Sequence, residues 1–235
     1  MSLNQKQNNL LLLTQHLGVV VLNIEDYQNK DSILQCKCQY GHDITGSVDH
    51  LMKTNFECLE CLHMQAVDVQ DTTPYFLSLD AATYTTGMSL FNRQGQLLGH
   101  KSFSIDKKKD YFVRVRELKE EVVRIIQEQD IKCVILEDIQ YQQNPALFKK
   151  LAMLQGVLRY AIIVELDLEL LTAMADEWRA YNHIGGTKRP DQKKAAIDRA
   201  KAIYKDDIPE DESESIFLGI YGIYMYNKNT HEEEM

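Results

Sequence analysis

The sequence predicts an α/β protein: a mixed sheet of five strands with helices packed on it, behind a small cysteine-rich module. Three observations predict it. Short apolar runs of strand length end on acids at Asp80 and Glu137. Between and after them, apolar residues recur at helical spacing, as in Phe112, Val115, Leu118, Val122, Ile125 and Ile126. Four of the five cysteines fall between Cys36 and Cys61, ahead of the first strong strand.

In chain order, residues 4–17 carry a helix-like repeat that ends before Gly18, and residues 18–24 read as a strand. Cys36, Cys38 and His42 follow, then Cys58 and Cys61. Zinc takes four soft or borderline ligands from two closely spaced pairs, because each pair chelates from a tight turn. Cys58 and Cys61 are one such pair. Cys38 and His42 are the natural partners, with Gly41 permitting the turn. Cys36 is the competing ligand, and it also fits as a small core residue. A closed set of four protein ligands makes a structural zinc site rather than a catalytic one. The pattern resembles zinc knuckles of the form Cys-x-x-Gly-His with Cys-x-x-Cys. Residues 67–73 read as a polar link, which makes residues 1–70 a helix and zinc-binding module.

Residues 74–228 form the second domain. Phe76 to Leu79 is a buried strand ending on Asp80, and Met88 to Phe91 returns as a hairpin after Gly87. Gln96 to Ser104 is a third strand. An amphipathic helix over 110–129 leads to a fourth strand, Lys132 to Glu137, whose Cys133 is a core residue. Asn144 caps a helix that has Pro145 in its first turn. Leu166 to Met174 is the fifth strand. Residues 175–181 are a short helix holding Trp178, read as packing. Gly185 and Gly186 make a flexible link, residues 192–204 a basic helix and residues 210–226 the last helix, with Tyr221, Tyr224 and Tyr226 spaced as core or dimer contacts. Residues 229–235 read as a disordered tail.

Composition narrows the function. A chain of 235 residues with 44% hydrophobic and 26% charged residues is an ordinary globular one. No apolar run is long enough to span a bilayer, and no basic segment precedes an apolar one, so no secretory signal is expected. A cytoplasmic setting follows, with the cysteines reduced or on metal. The net charge of −9 argues against non-specific nucleic-acid binding over the whole surface. The basic residues are grouped, however, at 101–109, 149–159 and 188–205. Lys188, Arg189, Lys193, Lys194, Arg199, Lys201 and Lys205 suit a phosphate-binding face.

Asp211 and Glu214 lie one helical turn apart. As residues at a helix start they are favoured by the dipole. If they meet Asp80 and Glu137, four carboxylates face one point, and like charges so close imply divalent cations. Paired magnesium ions polarise a phosphodiester and ready a water for in-line attack.

From Phe76 to Tyr226 the chain resembles the RuvC-like Holliday junction resolvases of the ribonuclease H-like superfamily, particularly bacteriophage versions. The matching residues are Leu77-Ser78-Leu79-Asp80 with Thr86-Gly87, then Leu136-Glu137-Asp138-Ile139-Gln140, Asn144 before the helix through Gly156, and Asp211-Glu212-Ser213-Glu214 after the basic helix. The resemblance implies a ribonuclease H-like sheet and a homodimer that cuts branched DNA with two Mg2+ ions, Mn2+ being an alternative. It implies Asp80, Glu137, Asp211 and Glu214 as metal ligands, and Lys194 or Lys193 as a catalytic or phosphate-gripping lysine. The helix from Asn144 is a candidate for the dimer contact, and the setting is a host cytoplasm if phage-encoded. The family's last acid is usually Asp or His, where this chain has Glu214. An aromatic residue that helps open the junction commonly sits three positions after the second acid. Here that position is Gln140, with Tyr141 beside it as the DNA-contacting candidate. A zinc module is an addition to the bacterial pattern. Action on RNA–DNA hybrids or flaps, or DNA binding without cleavage, are the competing readings.

Overall fold

The computed structural model describes residues 3–140 and 144–233, with side chains described to residue 230. The chain divides into two units, residues 1–67 and 68–235.

The first unit opens with α1 (Gln5–His16). Its start is fixed by a reciprocal cap: the Gln7 amide donates to the Asn4 side chain at 3.0 Å, and the Asn4 amide donates to Gln7 at 2.9 Å. Three antiparallel strands follow, β1 (Val20–Val21), β2 (Ile33–Lys37) and β3 (Asp43–Ser47), in the order β1-β2-β3. The strand expected over 18–24 shrinks to two residues. Asn23 replaces the ladder with its side chain, accepting from the Gln35 amide at 2.7 Å and donating to the Ile33 carbonyl at 3.2 Å, and a 3₁₀ turn follows at Ile24–Asp26. Two short helices, α2 (Val48–Lys53) and α3 (Leu59–Val67), complete the unit. Its core gathers Leu10, Val19, Leu34, Cys36, Ile44, Val48, Leu51 and Phe56.

The second unit is built on β4 (Phe76–Asp80), β5 (Thr85–Phe91), β6 (Leu97–Ser104), β7 (Cys133–Glu137) and β8 (Glu169–Ala173). Their order is β6-β5-β4-β7-β8. The first three are joined as hairpins, whereas β4, β7 and β8 run parallel. The parallel pairs need crossovers, supplied by α4 (Tyr111–Glu128) and α5 (Pro145–Tyr160). Leu77, Leu79, Val134 and Leu136 face these helices in one apolar cluster with Val115, Leu118, Val122, Leu154 and Leu158. Each such side chain, fully buried, contributes roughly 1.5–3 kcal/mol.

The opposite face takes α8 (Glu210–Glu233), with α6 (Ala175–Tyr181) and α7 (Arg189–Tyr204) beside it. This helix lies very close to the strands. A Cβ on Gly219 would stand 2.3 Å from Phe91, and one on Gly222 would stand 2.4 Å from Ile135. Polar contacts pin it too: Ser78 donates to the Ser215 carbonyl at 2.7 Å, and the Ser89 and Ser215 hydroxyls are 2.6 Å apart. Tyr226 is buried and Tyr224 is exposed.

Two boundaries differ from expectation. After α5 the chain makes a π turn at Ala161–Glu165, so the last strand starts at Glu169 rather than Leu166. The last helix runs to Glu233, through the polar stretch expected to be disordered; the Thr230 hydroxyl bonds back to the Tyr226 carbonyl at 3.2 Å. No helix of the described residues is long and apolar enough to cross a membrane.

Candidate active site and metal centre

Side chains alternate across a strand. Ser78 meets α8, so Asp80, two residues on, faces the same side. Ile135 lies under Gly222, so Glu137 does likewise. Leu79 is the register partner of Leu136, which sets Asp80 and Glu137 side by side at the ends of two parallel strands. On the other flank Asp80 pairs with Gly87. A Cβ on Gly87 would stand 1.8 Å from the Asp211 carbonyl oxygen. Only glycine lets the first turn of α8 settle there, beside Asp80. Glu214 follows one turn later and is buried. Residues from three remote parts of the chain thus meet at one end of the sheet.

Their electrostatics agree with that closeness. Burial raises Asp80 well above the ordinary carboxylate range, and the charges of Glu137, Glu214 and Asp211 push it further, against Arg189. Burial also raises Glu137, opposed by a hydrogen bond from Trp178 and by Arg189. Asp211 is raised by burial and by Glu210, with Lys193 and Arg189 pulling the other way. Glu214 is pushed up to about 7 by burial, again against Arg189. Partly desolvated, mutually repelling carboxylates are the donor set that hard divalent ions take. Among the described residues, no three of these acids bring their oxygens within 4.8 Å of one another. Trp178 holds Glu137, and Arg179 and Arg189 hold Glu214.

Several partners escaped sequence reading. Trp178 is fully buried, but it also donates Nε1–H to Glu137 Oε2 at 2.8 Å. Gln155 donates to the Glu137 carbonyl at 2.5 Å. Arg179 and Arg189 both donate to Glu214, at 3.0 Å and 2.7 Å. His100 Nδ1 lies 2.5 Å from Glu212 Oε2, and Ser102 donates to the other oxygen at 2.8 Å, tying the start of α8 to β6. A polar residue inside a strand, as at His100 and Ser102, is the one signal that marked them.

The basic residues divide. Lys193 pairs with Glu210, next to Asp211. Lys194 is exposed and bonds Asp198 at 2.5 Å on its own helix. Lys188 caps α7, and Arg199 is partly buried. Tyr141 lies outside the described residues.

In the first unit, Cys38, His42, Cys58 and Cys61 place their ligand atoms within 4.8 Å of one another. Gly41, at φ +86°, turns the chain between the first two. Cys58 and Cys61 share one face at the start of α3. Cys38 Sγ lies 3.6 Å from both His42 Nδ1 and Cys61 Sγ, and His42 Nδ1 is 3.3 Å from Cys61 Sγ and 3.7 Å from Cys58 Sγ. Tetrahedral zinc with bonds near 2.3 Å sets such edges at about 3.8 Å, so this group could hold zinc. Against the cost of burial, the backbone at Tyr40 and His42 with Cys61 and Cys58 brings Cys38 down to about 7. Burial and the neighbouring thiols push Cys61 up to about 12. Cys36 is not in the group: it points from β2 into the core and is 1% exposed. Its alternative role as a ligand is thereby corrected.

No protein-family model matches this sequence, and no curated protein matches it. Solved structures do. The chain carries the ribonuclease H-like fold of RuvC-type Holliday junction resolvases. It is similar to Thermus thermophilus RuvC, with a TM-score of 0.53 at 13% identity over 65% of this chain and 96% of that one. RuvC from the same organism in complex with Holliday junction substrate gives 0.53 at 11% identity, over 65% and 94%. The yeast mitochondrial Holliday junction resolvase Ydc2 gives 0.46 at 14%, over 75% and 90%.

Proposed function

We propose that this chain is a metal-dependent, structure-selective endodeoxyribonuclease that cuts Holliday junctions or other branched DNA. One observation carries the reading: on a RuvC-type fold, Asp80 and Glu137 stand side by side at the ends of parallel strands, with Asp211 delivered beside them by α8. Solved relatives of that fold include RuvC bound to a Holliday junction.

Divalent ions, Mg2+ or Mn2+, held there would polarise the phosphodiester and ready a water for in-line attack. Asp80, Glu137 and Asp211 present the oxygens. Trp178 orients the Glu137 carboxylate through its ring N–H. The water adds to phosphorus as the bond to the 3′ oxygen breaks, leaving a 3′ hydroxyl and a 5′ phosphate. The two-ion arrangement that the resemblance implies also needs Glu214. Arg189, Lys188, Lys193 and Arg199 grip the backbone phosphates, with Lys194 at the rim. Lys193, not Lys194, is the lysine next to the acids. Zinc on Cys38, His42, Cys58 and Cys61 holds the first unit together.

Two symmetric cuts call for a homodimer. Its contact is the groove between α4 and α5, about 380 Å³, lined by Phe112, Val115, Met153, Val157 and Tyr160. The test is a labelled four-way junction incubated with protein and Mg2+, with chelator, and with Glu137→Gln, beside hybrid and flap duplexes. Cleavage of the junction that needs Mg2+ and Glu137 supports the reading. Preferential cutting of hybrid or flap, or binding without cutting, replaces it.

A further inference from the structure

We propose that Glu214 is a positioning residue rather than a metal ligand, and that it holds Arg189 as a built-in second cation, so that the centre takes a single divalent ion on Asp80, Glu137 and Asp211. This rests on the reading of the acids as a divalent-ion centre.

Glu214 has no free face. Its side chain is 1% exposed, and each oxygen is taken: Oε1 accepts from Arg179 at 3.0 Å and Oε2 from Arg189 at 2.7 Å. Arg179 cannot swing aside easily. It is itself 10% exposed, and its guanidinium lies 4.5 Å from the centroid of the buried Trp178 ring. Serving as a metal ligand would pull Glu214 against a guanidinium that is itself buried, a costly step.

Arg189 differs from Arg179. Its side chain is 44% exposed, so one edge of the guanidinium grips Glu214 and the other faces solvent. Its charge draws down all four acids, Asp80, Glu137, Asp211 and Glu214. An arginine keeps its proton at any working pH, so this charge is permanent and no chelator removes it. The solvent-facing edge of Arg189 has unspent donors suited to a phosphate oxygen.

The test counts ions without relying on cleavage. Zinc-loaded full-length protein is titrated with Mn2+, followed by electron paramagnetic resonance and by the emission of Trp178, the only tryptophan, which bonds Glu137. The sites counted are those that disappear in Asp80→Asn. The wild type is expected to bind one Mn2+ with the spectrum of an isolated ion. Glu214→Gln is expected to keep that single site. Arg189→Gln is expected to admit a second, spin-coupled Mn2+, and Arg189→Lys to return the count to one. Circular dichroism confirms that each variant is folded. Two coupled ions in the wild type, or loss of one in Glu214→Gln, overturns the proposal while leaving the nuclease reading standing. Arg189→Gln staying at one ion also overturns it. No Mn2+ lost in Asp80→Asn overturns both.

Discussion

The two metal-capable centres are assembled in opposite ways. In the first unit the four ligands span Cys38 to Cys61, and two tight turns bring their atoms within 4.8 Å. In the second, the acids run from Asp80 to Glu214, and only the sheet and a late helix bring them together. The thiol and imidazole ligands stand at zinc-like spacing. The carboxylates stay spread, with a guanidinium among them. Local chain geometry brings the first group within bonding distance of one ion, whereas tertiary topology leaves the second more widely spaced.

The largest effect expected concerns the first group. Cys58→Ser, or zinc removal by a strong chelator, should unfold the first unit, since structural zinc carries an apparent free energy on the order of 10 kcal/mol. Far-ultraviolet circular dichroism and zinc content report it, and Trp178 emission should persist. A first unit that stays folded without metal would erase the contrast. At the carboxylate site, Asp80→Asn should lower junction cleavage on the order of 10³-fold, as a lost several-kcal/mol ion contact implies. It should raise the thermal midpoint of metal-free protein, because the cost of burying an acid beside other acids is gone.

Next comes the topology that builds the carboxylate site. Gly87→Ala should cost about 3 kcal/mol by forcing the Asp211 backbone away. Gly99→Ala, where nothing lies within 4 Å of the added Cβ, is the matched control and should stay within about 0.5 kcal/mol in denaturant titrations.

A smaller effect lies in pH. The folded values of Asp80, Glu137, Asp211 and Glu214 are raised above their unfolded ones, so the folded state holds the extra protons. Their contribution to stability is complete below the ordinary carboxylate range and is lost as pH rises toward about 7, the value for Glu214. Asp49 and Glu121, lowered by hydrogen bonds from Lys53 and Arg124, have the opposite sign but act at more acidic pH. Metal-free protein should therefore melt a few degrees lower at pH 7 than at pH 5 by calorimetry. Saturating Mg2+ should flatten that slope, and a slope of opposite sign would contradict the assigned environments. The smallest effect sharpens the ligand set: Cys36→Ala should cost about 1 kcal/mol and leave the zinc content unchanged.

Much of this was legible in the sequence, for identifiable reasons. Buried parallel strands read as apolar runs, so Phe76 to Leu79 and Val134 to Leu136 announced themselves, and the acids ending them were exposed as candidates by position alone. Cys58 and Cys61 share a turn, so their role is local. Cys36 could not be sorted from them by strand alternation, since Cys38 falls on the same buried side as Leu34 and Cys36. The grip of Arg179 and Arg189 on Glu214 left no such mark. It joins α6, α7 and α8 across a layer, and no periodicity within one helix encodes a contact between three. The ends of β8 and α8 were misjudged because a π turn and a back-bonded threonine extend helices beyond their apolar pattern.

The order of elements has a temporal consequence. The strands bearing Asp80 and Glu137 are synthesised before α8, which packs against them through Ser215, Gly219 and Gly222. A nascent chain therefore carries a half-built centre until its closing helix has left the ribosome and docked. The meeting of Asp80, Glu137 and Asp211 is therefore completed only once α8 has been made and has docked.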